Sequence, residues 1–216
     1  MRTLGLFLAG AAAGALVCLA ASLFDDSTET EPETPKTDAA PKEAASRYAF
    51  HQAEYVHPRI VQDMLGWMSD KHGSVVCVDL DAGNDSNQYH GAYKVVERAG
   101  RTFVEWKKGT GKQEESFSYE HIGTSPSGIH MIACYDRGGG SGVFGSAALF
   151  RMETDKTLVG NRKRTLLRIL DKIGLGDRYK GSITYEGGTL KIGADEGPFK
   201  GRDGPRDGKP LSIPVP

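Results

Sequence analysis

This chain of 216 residues has few cysteines and almost no net charge, and each of these features excludes a class of protein. Three cysteines are too few for a small domain held together by many disulfides. The 27 basic and 28 acidic residues nearly cancel, so we expect no nucleic-acid partner. Sequence signatures of catalysis are also missing, because HExxH, CxxC, GxSxG and SxxK do not occur. The sequence therefore gives no local indication of zinc or nucleophilic hydrolysis.

Charge is completely absent from residues 4–24, which separates this segment from the rest of the chain. A helix of this length, with a rise of 1.5 Å per residue, is about 31 Å long and crosses a hydrocarbon core of about 30 Å. Arg2 precedes the segment and acidic residues follow it, so the remaining chain is expected outside the cytoplasm. We predict that residues 1–24 form a single-pass membrane anchor. The alternative is a signal peptide, whose cleavage leaves a secreted or periplasmic protein.

Residues 25–46 contain no aliphatic side chain larger than alanine, but they contain seven acids, two lysines and three prolines. Such a segment cannot bury enough apolar surface to offset its conformational entropy. We therefore predict a disordered acidic tether over residues 25–46 and a single folded domain over residues 47–216. The membrane is the expected partner of residues 4–24.

Two segments of the folded region repeat apolar residues at helical spacing. The first begins at Pro58, a favourable first position of a helix, and its pattern continues towards Gly73. The second lies between Asn161 and Gly174 and has a broad apolar face. We predict a helix in each segment.

Most of the remaining region is typical of β-structure. Between Pro58 and Pro198 the only proline is Pro126, and many apolar residues alternate with a period of two. Turns at 99–100 and 187–188 predict two hairpins, the first with Lys94 opposite Glu105, Val96 opposite Phe103 and Arg98 opposite Arg101. Further strands are expected at 74–80, 116–122, 129–135 and 143–152.

These elements predict an α+β domain. We expect a mainly antiparallel sheet of about seven strands with two packed helices, preceded by the N-terminal hydrophobic helix. The many glycines within the strands permit bulges and bends, so we expect the sheet to be strongly curled or barrel-like.

Cys77 and Cys134 are the cysteines outside the apolar leader, and both lie within expected strands. Outside the cytoplasm such a pair forms a disulfide when neighbouring strands bring the Cα atoms within about 4.4–6.8 Å. We predict a Cys77–Cys134 disulfide, with two separate buried thiols or a reactive thiol as the alternatives.

Strand alternation also suggests candidates for acid–base catalysis. Asp79 and Asp81 share a face with Cys77, and His130 shares a face with Cys134. If the two strands are neighbours, His130 pairs with Asp79 or Asp81. Polar side chains at strand ends are the plainer interpretation, and no metal site is expected.

A glycine-rich loop follows Arg137. Its sequence fits GxGxxG formally, but no helix is expected after it and no cofactor is predicted. The backbone of Gly138, Gly139 and Gly140, with Arg137 beside it, is a candidate anion-binding site, with a plain hairpin loop as the alternative.

These observations predict a membrane-tethered, extracytoplasmic domain that binds an unidentified protein or small molecule, or serves as an accessory of the cell envelope, without evident catalysis. The alternative is a small secreted hydrolase or carbohydrate-active enzyme that uses scattered carboxylates and His130.

Overall fold

The computed structural model describes residues 47–52, 54–66, 75–82, 91–111, 114–199 and 207–216. The predicted anchor over 4–24 and the predicted tether over 25–46 lie outside these residues. None of the helices among these residues has the length and hydrophobicity that a membrane span requires.

The described residues form mostly β-structure. In chain order the elements are β1 (Tyr48–Ala49), β2 (Glu54–Tyr55), α1 (Pro58–Leu65), β3 (Cys77–Asp79), β4 (Lys94–Arg98), β5 (Arg101–Lys108), β6 (Glu115–Thr124), β7 (Ile129–Gly138), β8 (Phe144–Lys156), β9 (Lys163–Asp177), β10 (Ile183–Glu186), β11 (Thr189–Ile192) and β12 (Leu211–Pro214).

The main sheet has seven antiparallel strands in the order β3-β9-β8-β7-β6-β5-β4. From β4 to β9, each strand pairs with the strand that follows it in the sequence. Strand β3 pairs with β9 and forms one edge of the sheet. The sheet is open, so the prediction of a strongly curled or barrel-like sheet is wrong. Glycines within strands mark local bulges without closing the sheet, as Gly123 of β6 and Gly145 of β8 do beside shifts of register.

Both predicted hairpins are confirmed. Lys94 lies opposite Glu105, Val96 opposite Phe103 and Arg98 opposite Arg101. In the second hairpin Ile183 lies opposite Ile192. Turn residues and cross-strand pairs therefore determine the register locally, as expected.

The prediction of two packed helices is wrong, because the segment between Asn161 and Gly174 belongs to strand β9. Its backbone pairs with β8 on one side and with β3 on the other. The extra residues Leu170 and Leu175 form bulges in β9, where its register against β8 shifts. Pairing with β8 supplies hydrogen bonds along 13 residues, and this tertiary interaction outweighs the helical repeat.

One short helix is present among the described residues, and it starts where it was predicted. The His57 side chain caps α1 by accepting a hydrogen bond from the Arg59 backbone N–H at 3.1 Å, and Pro58 occupies the first turn. The helix ends at Leu65, because Gly66 adopts a left-handed conformation with φ 62°.

The seven-stranded sheet is covered on both faces, which we name by what each one carries. The helix face packs against α1 and β1 through a core that includes Phe117, Ile132, Phe150 and Leu167. Arg59 of α1 also stacks over the ring of Trp106 at 4.6 Å.

The opposite face, here called the groove face, packs in part against a small sheet with the order β10-β11-β12. Met131 and Leu149 of the main sheet join Leu190 and Ile192 of the small sheet in a second apolar core. A side chain at Gly123 would approach Tyr185 of β10 to 2.9 Å, so glycine permits close packing there. The second core leaves part of β4 to β7 without apolar cover, and this open area positions the candidate site.

Candidate binding groove and histidine cluster

A concave groove with a volume of about 500 Å³ lies on the groove face. Alternation along β5 directs Arg101, Phe103, Glu105 and Lys107 towards it, as expected for one face of a strand. Strands β6 and β7 and the adjacent loops supply the rest of the lining, namely Glu114, Ser116, Ser118, Tyr135, Arg137, Val143 and Tyr179, and Arg98 of β4 joins them. The site is therefore built mainly on strands, which hold side chains more firmly than loops do.

Charged side chains dominate the groove and neutralise one another only in part. Glu105 is 2.8 Å from Arg98 and 3.4 Å from Lys107, so one carboxylate serves two cations. Lys107 is also 3.5 Å from Glu114. Arg137 has no carboxylate within ion-pair distance among the residues that the structure describes, and its Nε donates a hydrogen bond to the Gly140 carbonyl at 3.1 Å.

Arg101 joins the groove to a buried carboxylate. Its Nη2 donates to Glu120 Oε1 and, at 3.3 Å, to the hydroxyl of Tyr135. The hydrogen bond to Glu120 raises the pKa of Arg101, and burial raises the pKa of Tyr135. Glu120 is 5% exposed, and its Oε2 has no hydrogen-bond partner in the described part of the chain.

Aromatic rings form the apolar part of the groove. The guanidinium carbons of Arg98 and Arg101 each lie 5.4 Å from the centre of the Phe103 ring, on which they make cation–π contacts. The ring of Tyr135 is 6.0 Å from that of Phe103. These contacts fix the two arginines and leave hydrogen-bond donors facing the groove.

His51 and His121 line a second, smaller cleft of about 260 Å³, and His130 joins them in a cluster of three histidines. The rings of His51 and His121 stack at 4.5 Å. Thr124 Oγ1 lies 2.9 Å from His121 Nε2 and 3.0 Å from His130 Nδ1, so it links these two rings. Phe50 packs against His130 with 5.4 Å between ring centres.

Two of these histidines are neutral at physiological pH. Burial, followed by repulsion from neighbouring histidines, lowers the pKa of His121 from 6.5 to about 4. Burial and His51 lower the pKa of His130 to about 4 as well. Within the described ranges no group of three or more His, Cys, Asp or Glu side chains is arranged to hold a metal ion.

The structure does not bring His130 together with Asp79 or Asp81. Both aspartates lie at the β3 edge, and β9 and β8 separate that edge from β7. Asp79 is 3.7 Å from Arg164, and Asp81 accepts a hydrogen bond from the Thr165 backbone N–H at 2.7 Å. The two carboxylates therefore fix the end of β3.

Cys77 and Cys134 are free thiols in the structure. They belong to β3 and β7, so three strand spacings of about 4.8 Å, or about 14 Å in all, separate them. This distance exceeds the range of a disulfide, so the strand order contradicts the predicted bridge. The alternative of two separate thiols agrees with the structure, although Cys77 is only half-buried.

We expect alkylation to distinguish the two thiols. Without reductant, native protein treated with iodoacetamide should be modified at Cys77 and protected at Cys134, which is 1% exposed and whose pKa burial raises well above its ordinary value. Denaturation without reductant should expose both thiols to the reagent. Mass spectrometry that finds a linked Cys77–Cys134 peptide would instead contradict the strand order.

The glycine-rich loop after Arg137 is a hairpin connection between β7 and β8. Gly138 ends β7, and the side chain of Arg178 donates a hydrogen bond to the Ser141 carbonyl. The side chain of Arg137 contributes to the groove lining. The anion-binding role of Gly138, Gly139 and Gly140 stays a prediction.

Sequence reasoning named Arg137 and His130 but missed the groove and the histidine cluster to which they belong, although the sequence contained a signal for each. For the groove, the signal is an alternation of charged side chains on one face of a strand, at Arg101, Glu105 and Lys107, with Phe103 among them. For the cluster, the signal is the position of His121 and His130 on either side of a short connection between two expected strands. His51 had no such signal, because it belongs to a different layer of the fold.

Comparisons with protein-family models, curated proteins and solved structures give no match for this chain. The groove and the histidine cluster are therefore the features from which a function is inferred.

Proposed function

We propose that residues 47–216 form a binding domain that the leader holds outside the cytoplasm, and that the groove binds a small ligand carrying carboxylate groups. The observation that carries the proposal is the cationic lining of the groove. Its volume of about 500 Å³ is within the usual range for small-molecule sites.

The charges of the groove support an anionic ligand. Four cations (Arg98, Arg101, Lys107 and Arg137) line it against two carboxylates, those of Glu105 and Glu114. The buried carboxylate of Glu120 reduces the excess of positive charge to one. Among the described residues Arg137 has the weakest internal compensation, because its side chain donates a hydrogen bond to a carbonyl and has no carboxylate within ion-pair distance. A ligand carboxylate beside Arg137 gains a charge-assisted hydrogen bond without displacing an internal ion pair.

Hydroxyl groups support a polar ligand as well. Ser116, Ser118 and Tyr135 line the groove between the cations, and the raised pKa of Tyr135 keeps its phenol protonated as a donor. The groove therefore offers neutral and charged donors along one surface.

Charge reversal at Arg137 tests the proposal. Binding is measured by isothermal titration calorimetry at low salt. The carboxylate probes are citrate, trigalacturonate and triglutamate, and the neutral control probes are maltotriose and triglutamine. We expect binding of at least one carboxylate probe. Arg137→Glu should weaken that binding by about tenfold or more, because it replaces a donor with a repelling charge.

Lys108→Glu is the matched control for Arg137→Glu. It makes the same change of charge on strand β5 of the same sheet, but Lys108 is exposed and does not line the groove. The control should bind the probe like the unmodified protein. Equal losses of binding in the two variants would show a general effect of charge and would contradict a specific site. The proposal would also be contradicted if none of the carboxylate probes bound.

The histidine cluster keeps the hydrolase as a second candidate function. Neutral imidazoles at His121 and His130 are in the form that a general base needs. The carboxylate that lines the cleft beside His121 belongs to Glu120, whereas Asp79 and Asp81 make structural contacts elsewhere. The groove carries more converging groups than this cleft, and we therefore favour binding.

A further inference from the structure

The turn between β8 and β9, residues 157–162, exposes two aliphatic side chains completely. Leu158 is 102% exposed and Val159 is 89% exposed. They lie at the tip of the hairpin made by strands of 13 and 15 residues. Adjacent aliphatic residues at such a tip are typical of a contact surface rather than of a solvated loop.

Hydrogen bonds within the turn fix its conformation. The Thr157 backbone N–H donates to the Arg162 carbonyl at 2.9 Å, and the Thr157 hydroxyl donates to the Val159 carbonyl at 2.7 Å. The same hydroxyl accepts from the Arg162 backbone N–H at 3.1 Å. Gly160 and Asn161 both have left-handed backbones, with φ values of 77° and 50°. The exposure of Leu158 and Val159 is therefore a property of an ordered turn.

Positive charge surrounds the two aliphatic side chains. Lys156 and Lys163 lie directly opposite each other across the hairpin, an arrangement that repulsion disfavours in water. Neither lysine has a carboxylate within ion-pair distance among the residues described here, and the nearby Asp155 is paired with Arg164 at 2.7 Å. An external anionic surface would relieve this repulsion.

The turn lies at the same end of the domain as the start of the described chain. Asp81 connects the two, because its carboxylate is 3.1 Å from Arg47 Nη2 and its backbone carbonyl accepts a hydrogen bond from Arg162 Nη2 at 3.4 Å. Residue 47 is the point at which the predicted tether joins the domain. A domain held by that tether has its β8–β9 turn on the side where its attachment begins.

We propose that the β8–β9 turn inserts Leu158 and Val159 into the surface of an anionic bilayer, with Lys156, Arg162 and Lys163 at the headgroups. Aliphatic residues ringed by cations suit this interface, in which apolar groups enter the acyl boundary and lysines contact anionic lipid. The proposal goes beyond ligand binding in the groove but rests on the membrane attachment proposed above. Two side chains bind a bilayer weakly on their own, and the tether makes the contact effective by raising the local concentration.

A fluorescent probe at the turn tests the contact in the full chain. Val159→Cys, in a background with Cys18→Ser and Cys77→Ser, is labelled with NBD, and the protein is reconstituted into phosphatidylcholine vesicles with or without phosphatidylglycerol. The emission should shift to the blue in the anionic vesicles, and brominated lipid should quench it by about twofold or more. Lys156→Glu with Lys163→Glu should abolish both effects.

Ser141→Cys is the matched label position. Ser141 lies in the loop at the other end of β8, about 40 Å away for a strand of 13 residues, and its label should show no quenching by brominated lipid. Equal signals at 159 and 141 would overturn the proposal. A blue shift at 159 without lipid quenching would assign the turn to a protein partner or a second copy, and would also overturn it.

Flotation of the vesicles separates failure of this proposal from failure of the membrane attachment. Leu158→Asn in the labelled Val159→Cys protein should still float with the vesicles, because the leader holds it, while the blue shift and the lipid quenching of the label weaken. If the leader is cleaved and the chain does not float, the attachment is wrong. The released chain, labelled at residue 159, is then mixed with an excess of anionic vesicles that contain brominated lipid. If the lipid does not quench the label, the proposed insertion is wrong too.

Discussion

Lowering the pH from neutrality to about 4 is expected to destabilise the folded domain by about 3–4 kcal/mol through His121 and His130. In the unfolded chain both imidazoles take up protons near their ordinary pKa of 6.5, whereas in the folded chain they do so near 4. Their contribution to stability is therefore complete above pH 6.5 and is lost as the pH falls to about 4. Partial exposure of both rings keeps the combined effect below the value for two fully buried groups.

Urea denaturation at a series of pH values measures this effect. The double variant His121→Gln with His130→Gln should show a much flatter dependence of the free energy of unfolding on pH between 6.5 and 4. His51→Gln should give an intermediate slope, since His51 contributes to the lowered pKa of both neighbours. If the double variant and the unmodified protein lose stability in parallel, the histidine cluster does not control acid stability and its geometry is wrong.

Truncation of Phe150 should destabilise the domain by about 3–5 kcal/mol at neutral pH. The Phe150 side chain is completely buried in the middle of the long strand β8, on the helix face. Its ring centre is 5.5 Å from that of Phe50, which belongs to the segment leading into α1. Phe150→Ala therefore leaves a cavity between the sheet and the layer that covers it.

Leu158→Ala is the control for Phe150→Ala, because it shortens an aliphatic side chain in the same hairpin. Leu158 is fully exposed, so its truncation should change the free energy of unfolding by no more than about 0.5 kcal/mol. Chemical denaturation with intrinsic fluorescence measures both variants. A small effect at Phe150 would mean that the helix face is not packed as described.

The hairpins were predictable from sequence because their determinants are neighbours in the chain. The turn at Ala99-Gly100 and the pairing of Lys94 with Glu105 lie within a dozen residues, and a shift by one residue would reverse the faces of every side chain. Local turn chemistry and local pairing were consistent, so the predicted register was confirmed.

Strand β9 was not predictable in the same way, because its bulges disguise its period. Leu167 and Ile169 pack on the helix face, whereas Ile173 and Leu175 pack on the groove face. The extra residue at Leu170 causes this change of face. Apolar residues on two faces of a bulged strand resemble the repeat of an amphipathic helix, and only the long partner strand β8 distinguishes them.

The candidate site was predictable strand by strand but not as a whole. The alternation of side chains along β5 could place Arg101 and Lys107 on one face of that strand. Arg137 was already a candidate for binding an anion. Their convergence requires the order β5-β6-β7, and His51 reaches His121 only because a segment from another layer covers the sheet. Such contacts depend on tertiary packing rather than on spacing in sequence.

The unequal lengths of β3 and β9 have a consequence for self-association. Strand β3 pairs with Leu166, Leu167 and Arg168, while β9 has 15 residues, so much of its outer ladder is free of a partner strand in the described part of the chain. Free ladders recruit strands from other copies and start aggregation. The bulge at Leu170 and the charges of Asp171 and Lys172 interrupt this ladder where it would otherwise be open. We infer that these residues, which add little to either core, protect the protein from aggregation.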